Sequence, residues 1–396
     1  MTSDASAAPS ADPSTLTGRL RAAGSLKWTG VDAEIAAWVA ESDLGTAPVV
    51  LAAARDAVGA GLVGYLPPAL RAELGAATAG LHAERYGWDV DPARVHPVAD
   101  VLTALQVTVE HLSPAGAPVV VPTPAYMPFL TAPRLWGREV LPVPMRTDDA
   151  GRAALDLDAV DDALRAGGRV VVLTNPHNPT GRVHERDELA ALADVVSRHE
   201  GARVFSDEVH APIVHDGRRH VPYASVSALA ASQAVTATSA SKGWNVPGLK
   251  CAQIVLTADR DVRDWPRVDH VATHGASTVG VAAAIAAYRH GLGWLDDVVA
   301  VLGEHRAALA EGLAEAGGTR VRWTPPEGTY LAWLDLRPAF DVVPDDLAAW
   351  VRERAGVAVV DGAACGEVGR GFVRVNLAMP RPLVVEAGRR LAACLP

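Results

Sequence analysis

Lys242 stands in the stretch SASKGWN (residues 239–245), an amine among hydroxyls where the apolar run AVTAT (234–238) gives out. A lysine on a helix face usually has acidic partners one turn away, and none is near this one. Three other apolar runs end in equally polar groups. NPHNPTG, with Asn175 and Asn178, follows RVVVLT (169–174); Asp207, Glu208 and His210 close and follow ARVFSD (202–207). Tyr126, among prolines, follows APVVVP (117–122). An aromatic ring, an amide, a carboxylate and an amine therefore sit at the ends of separate runs.

These groups are the set that pyridoxal phosphate needs: an amine for its aldehyde, a carboxylate for its pyridinium nitrogen, donors for its phosphate and phenolic oxygen, and a ring to stack on. Lys242 can condense with the aldehyde, and Asp207 can pair with the ring nitrogen. Asn178 and His210 can reach the phenolic oxygen, and Tyr126 can stack. Ser239 and Ser241 can hold the phosphate, aided by amides at the start of a helix opening at Asp100 and Val101. Asn175 is better placed to brace its own loop. Glu208, His215 and His220 read as structural, Cys251 and Cys365 as small buried hydrophobes. Trp28 and Trp38 suit a core, and Trp244 the substrate end.

The elements that must position these residues alternate. Short buried runs, with CAQIVLT (251–257) as a fifth, are separated by helical patterns such as DELAALADVVSRHE. That alternation predicts an α/β fold with a mostly parallel sheet, whose functional loops lie at the carboxyl ends of the strands. The expected organisation is a disordered Ala/Ser/Pro tail over 1–25, then an N-terminal segment over 26–57 packing with the small domain. A large cofactor-binding domain over 58–291 and a smaller α/β domain over 292–396 complete it. The formal charge of −10 over 396 residues argues against a nucleic-acid or anionic-membrane surface. Three cysteines match no metal or disulfide spacing, so a cytoplasmic setting is expected. The opening residues lack the basic leader and apolar core of a signal peptide, and no apolar run approaches the ~18 residues of a membrane span.

Taken together, TPAYMPF, NPHNPTGRV, SDEVHAPIV, SASKGWNVPGLK, GTYLAWLDL and GFVRVNLAMPR resemble the fold type I, class I/II aminotransferase family. LKWTGVDAEIAAWVAESDLGTAP followed by GYLPP resembles its cystathionine β-lyase branch. The resemblance implies Lys242 as the Schiff-base lysine, Asp207 as the pyridinium partner, Asn178 at the phenolic oxygen, and His210 where many relatives use tyrosine. It implies Tyr126 as the stacking ring and Tyr65 as a phosphate ligand reaching across a homodimer interface. Arg374 would clamp the substrate α-carboxylate, for which a planar guanidinium is suited, with Tyr126 and Asn178 beside the substrate. Lys250 stands where many relatives carry a phosphate-binding arginine, keeping the charge and losing the fork.

The function so implied is β-elimination from a sulfur amino acid such as cystathionine, giving thiol, pyruvate and ammonia. An aminotransferase of an L-amino acid uses the same lysine, aspartate and asparagine, and a cofactor-retaining regulatory protein is a third reading. Within the motifs, WVAESDL in place of the branch's usual WVADMDF and Ala99 in place of a glycine bear on substrate preference rather than on cofactor binding.

Overall fold

Valine-rich runs build the centre of the molecule. The computed structural model describes residues 13–148, 151–317 and 319–396. Seven strands form one sheet: β1 (Val95–Val98), β2 (Val119–Thr123), β3 (Val140–Pro144), β4 (Val170–Thr174), β5 (Arg203–Asp207), β6 (Ala234–Thr238) and β7 (Ala252–Leu256). Their order is β1-β7-β6-β5-β4-β2-β3. Only β7 runs antiparallel to its neighbours; the other pairings are parallel.

Val119 and Val121 face a layer containing Leu105 and Phe129, while Val120 faces Val160, Leu164 and Leu189 on the opposite side. Both faces are covered, so β2 and β4–β7 are buried along their whole length. That is why these strands read as unbroken apolar runs instead of alternating. Parallel pairing sets the carboxyl ends of β2, β4, β5 and β6 on one edge. The reversed β7 brings its amino end, preceded by Lys250 and Cys251, to the same edge.

A second, antiparallel sheet comprises β8 (Arg322–Trp323), β9 (Leu331–Asp335), β10 (Val360–Asp361) and β11 (Phe372–Asn376), in the order β8-β9-β11-β10. The helices Leu292–Glu315 and Arg381–Ala393 pack against one another beside it. They approach so closely that a Cβ on Gly312 would lie 2.0 Å from the carbonyl oxygen of Val385, a contact only glycine avoids.

Two expectations about the N-terminal region need correction. Residues 1–12 lie outside the described residues, but Pro13–Ala22 is a helix within the supposed disordered tail. Its Leu16 and Leu20 pack on the core of the second sheet, a single apolar pair too short to stand out in an Ala/Ser/Pro-rich stretch. The segment 26–57 also divides. Trp28, Ile35 and Ala37 join the second sheet's core, with Ile35 paired in parallel to Val357. The helix Pro48–Gly59 instead packs on Thr278–His290, through Ala47, Val50, Val281 and Ala284. Among the described residues no helix is long and apolar enough to cross a membrane.

Candidate active site

The shared edge of the large sheet and the face of β11 enclose a cavity of about 480 Å³. Lys242 lies in the short helix Ala240–Gly243, whose N-cap Ser239 accepts a hydrogen bond from the Ser241 amide. Its amine donates to the Ala40 carbonyl oxygen at 2.9 Å. Burial, reinforced by the Arg374 guanidinium and opposed by Asp207, lowers the amine to about 8. Asp207 ends β5, where the Val209 amide donates to its carboxylate at 3.1 Å. Burial lifts this acid to about 7 despite that bond and Lys242. A low-dielectric cavity disfavours both charges.

Arg374 enters from β11, where it pairs with Trp333 of β9 and Val360 of β10. Its side chain is buried, donating to Asn178 Oδ1 at 2.9 Å and to the Trp38 carbonyl at 3.0 Å. Its Nε has no partner, and among the described residues no carboxylate lies within ion-pair range. A buried cation without an anion is costly, so a bound anion is what this guanidinium lacks.

Tyr126 stands half-buried before the helix Met127–Leu135, edge-on to Phe129 with centroids 5.3 Å apart. His210 is buried, its ring 5.9 Å from Tyr330 and its Nδ1 without a partner. Burial, then the Lys242 and Arg374 charges, hold its pKa well below the usual histidine range, so it is a neutral imidazole.

At the other end, the helix Val101–His111 opens at Asp100, whose carboxylate accepts from the Thr103 amide at 2.8 Å. The first helical amides, Val101 and Leu102, lack intrahelical acceptors and line the cavity. Lys250 pairs with Asp100 at 2.9 Å from a backbone φ of 48°, a left-handed conformation sparsely used by residues other than glycine. Ser239 and Ser241 both line the cavity. The Ser239 hydroxyl donates to the Cys251 carbonyl at 2.7 Å while capping Ser241, so it also braces the loop.

Tyr65 lies outside this cavity, 88% exposed and tilted against the His274 ring. Trp244 is buried against Tyr288 and donates to the Gly291 carbonyl at 3.0 Å, away from the cavity. Asn175 ties its loop to Val221 and His184. The residues that sequence reasoning passed over are Val39 and Ala40, which with Trp38 wall the cavity from the N-terminal segment. Asn376 donates to the Val39 and Glu41 carbonyls, Asn245 and Ser42 bond reciprocally, and Lys27 forms a buried ion pair with Asp43 at 2.8 Å. Most of these contacts run through backbone groups, which leave no trace in side-chain pattern.

Comparison with known proteins places this architecture. Residues 39–391 match the family of class I and II aminotransferases. The chain belongs to that family and, within it, to the cystathionine β-lyase branch. It is 36% identical to a cystathionine beta-lyase of Corynebacterium glutamicum, covering 93% of this chain and 96% of that one. With the cystathionine beta-lyase PatB of Bacillus subtilis it shares 30% identity, over 94% and 96%. The PLP-bound C-S lyase of Staphylococcus hominis superposes with a TM-score of 0.84 at 26% identity, over 94% and 96%.

Proposed function

We propose that this protein is a pyridoxal-phosphate-dependent carbon–sulfur lyase that eliminates a thiol from a cysteine conjugate such as cystathionine. The observation that carries the reading is Arg374, a buried guanidinium with no carboxylate partner among the described residues, sharing one cavity with Lys242 and Asp207. An α-amino acid supplies the missing anion.

The residues present fit the cofactor. Asp207 is a buried acid with one hydrogen-bond donor, ready to pair with a protonated ring nitrogen. His210 and Asn178 flank the same space, and Val101, Leu102, Ser241 and Lys250 form an anion site at its far end. Pyridoxal phosphate bound there supplies an aldehyde for the amine and a ring that takes up electrons.

Each protein group then has a task. Arg374 fixes the substrate α-carboxylate with paired N–H donors. Lys242, lowered to about 8 by burial, is partly neutral near pH 7 and can accept the α-proton as general base. Asp207 would hold a proton on the cofactor's ring nitrogen, and Tyr126, which lines the same cavity, would offer its ring to the cofactor. The Cβ–S bond breaks with its electron pair on sulfur, and the thiolate takes up a proton. Water replaces the nitrogen, so one thioether and one water give thiol, pyruvate and ammonium.

The active unit in this reading is a homodimer in a reducing cytoplasm. The exposed Tyr65 reaches the phosphate of a second copy, and the three cysteines remain unpaired. The deciding experiment is steady pyruvate release from L-cystathionine with no 2-oxo acid present. Turnover that appears only with a 2-oxo acid acceptor would make the protein an aminotransferase instead.

A further inference from the structure

The turn that joins β8 to β9, residues 324–330, is bonded to both loops that carry Asn178 and His210. The Gly328 amide donates to the Gly181 carbonyl at 2.9 Å, and the His215 amide to the Glu327 carbonyl at 2.9 Å. The Thr329 amide donates to the Ile213 carbonyl at 2.8 Å. The approach leaves no room for a side chain on the turn. A Cβ on Gly328 would lie 2.8 Å from the Pro176 Cβ and 2.9 Å from Val183 Cγ2, so glycine is required.

Glu327 is the charged residue in this contact. Its Oε2 accepts from Arg182 Nη1 at 2.7 Å and from the Val183 amide at 2.9 Å. Its Oε1 lies 3.0 Å from Arg218 and 3.5 Å from Arg152. Burial opposes the charge, yet the Val183 amide and the Arg182 and Arg218 guanidiniums hold this carboxyl below the usual range. Arg182 and Val183 end the turn NPHNPTGRV that begins at Asn175, and the Arg182 carbonyl accepts from the His177 amide at 2.7 Å. The carboxylate thus grips the loop on which Asn178 stands. Asn178 is buried and accepts from Arg374 through Oδ1, which leaves its Nδ2 protons for another acceptor.

We infer that Glu327, which does not line the cavity, is a positioning residue for Asn178 and, through it, for Arg374. This rests on the reading that Asn178 meets the cofactor's phenolic oxygen. One carboxylate oxygen holds two consecutive residues of the loop, so losing it frees the segment that carries the amide. Groups that touch cofactor or substrate keep their geometry through such support. A small displacement there costs far more in function than in stability. An ion-pair set that served stability alone would leave the site unchanged when weakened.

The test reads the absorbance of the holoprotein. A donor to the phenolic oxygen favours the form with more negative charge there, so Asn178→Ala should raise the midpoint of the bound cofactor's pH titration. Glu327→Gln keeps the shape, loses the charge, and should raise the midpoint too, by about half a pH unit. The two effects should not add, because both act through one amide. Should Glu327→Gln fail to fold, Glu327→Asp replaces it: the charge stays, the reach shortens, and the shift keeps its direction. A wild-type midpoint in the Glu327 variant would overturn the inference, even if denaturant melts show lost stability. So would a shift as large in the Asn178→Ala background as without it. If Asn178→Ala itself leaves the titration unmoved, only the phenolic-oxygen reading fails, and propionate binding to the same holoproteins decides. Propionate offers Arg374 a carboxylate and carries no amine to react. Its dissociation constant should then rise about threefold in the Glu327 variant and no further when that change is added to Asn178→Ala. Unchanged propionate binding would overturn the inference.

Discussion

The Lys242 amine and the Ala40 carbonyl oxygen, 2.9 Å apart, join positions 202 residues distant in the chain. The same oxygen accepts from the Tyr330 hydroxyl at 3.0 Å. The central lysine is thus held by the N-terminal segment on one side, and that segment by the second sheet on the other. Such a contact orients the amine without charging it, because a carbonyl is a neutral acceptor.

If Lys242 carries the cofactor, borohydride treatment of the purified protein should fix pyridoxyl phosphate to it. Mass mapping should then find the label on the peptide containing SASKGWN. Lys242→Ala should take up no covalent label. A label on Lys250 would remove Lys242 from its role.

Asp207→Asn should lower turnover and loosen the cofactor, since an amide cannot hold the ring nitrogen's proton by ion pairing. Without cofactor the sign reverses. Burial raises the Asp207 pKa from 3.8 to about 7, so the folded state holds this proton more tightly than the unfolded chain. The stability it lends is present at low pH and is lost as pH rises from about 4 to about 7. Cofactor-free Asp207→Asn should therefore gain on wild type across that range, by on the order of 2–4 kcal/mol at pH 8. Denaturant melts at pH 5 and pH 8 would reveal it, and a pH-independent difference would contradict it.

Arg374→Lys should raise KM for amino-acid substrates by roughly 10- to 100-fold, the loss of about 1.5–3 kcal/mol for a charged hydrogen bond. One ammonium cannot bridge Asn178 and the Trp38 carbonyl, which Arg374 does with two nitrogens, and still fork onto a carboxylate. An unchanged KM would place the carboxylate elsewhere.

Lys27 is fully buried, bonded to Asp43 and to the Ala378 carbonyl. Lys27→Met should destabilise the fold by about 3–5 kcal/mol, because Asp43 is then a buried charge without its partner. Lys27→Met combined with Asp43→Leu should recover part of that loss. Chemical denaturation measures both, and a single variant as stable as wild type would show the pair to be dispensable.

Two variants test the shared site, Lys242→Ala and Tyr65→Ala combined with a second lesion on the same interface, each first shown to be inactive when refolded alone. Refolded together, they should regain at most about a quarter of wild-type activity: with random pairing in a symmetric dimer, half the dimers are mixed and each holds one intact site. Verified heterodimers without activity would mean that Tyr65 serves its own subunit or none.

Much of this was legible in the chain itself. Buried parallel strands must be apolar throughout, so β2, β4, β5, β6 and β7 announced themselves within a residue or two, and the polar groups at their ends followed. Asp207, Asn178, His210, Tyr126 and Lys242 each lie at or just after a strand, and parallel pairing alone carries them to one edge. Edge strands were harder to see: β1 reads VHPV and β3 reads VLPVP, where prolines break the β signature. Tertiary structure alone decided what faces Lys242. The Ala40 carbonyl, the bonds from Asn376 to residues 39 and 41, and the turn at Lys250 depend on backbone groups that every residue possesses. Tertiary packing also sets the Ser239 hydroxyl against the Cys251 carbonyl. Side-chain type can show which strand ends are polar, but where backbone from distant segments meets is set only when two cores, joined through residues 26–57, close on one another.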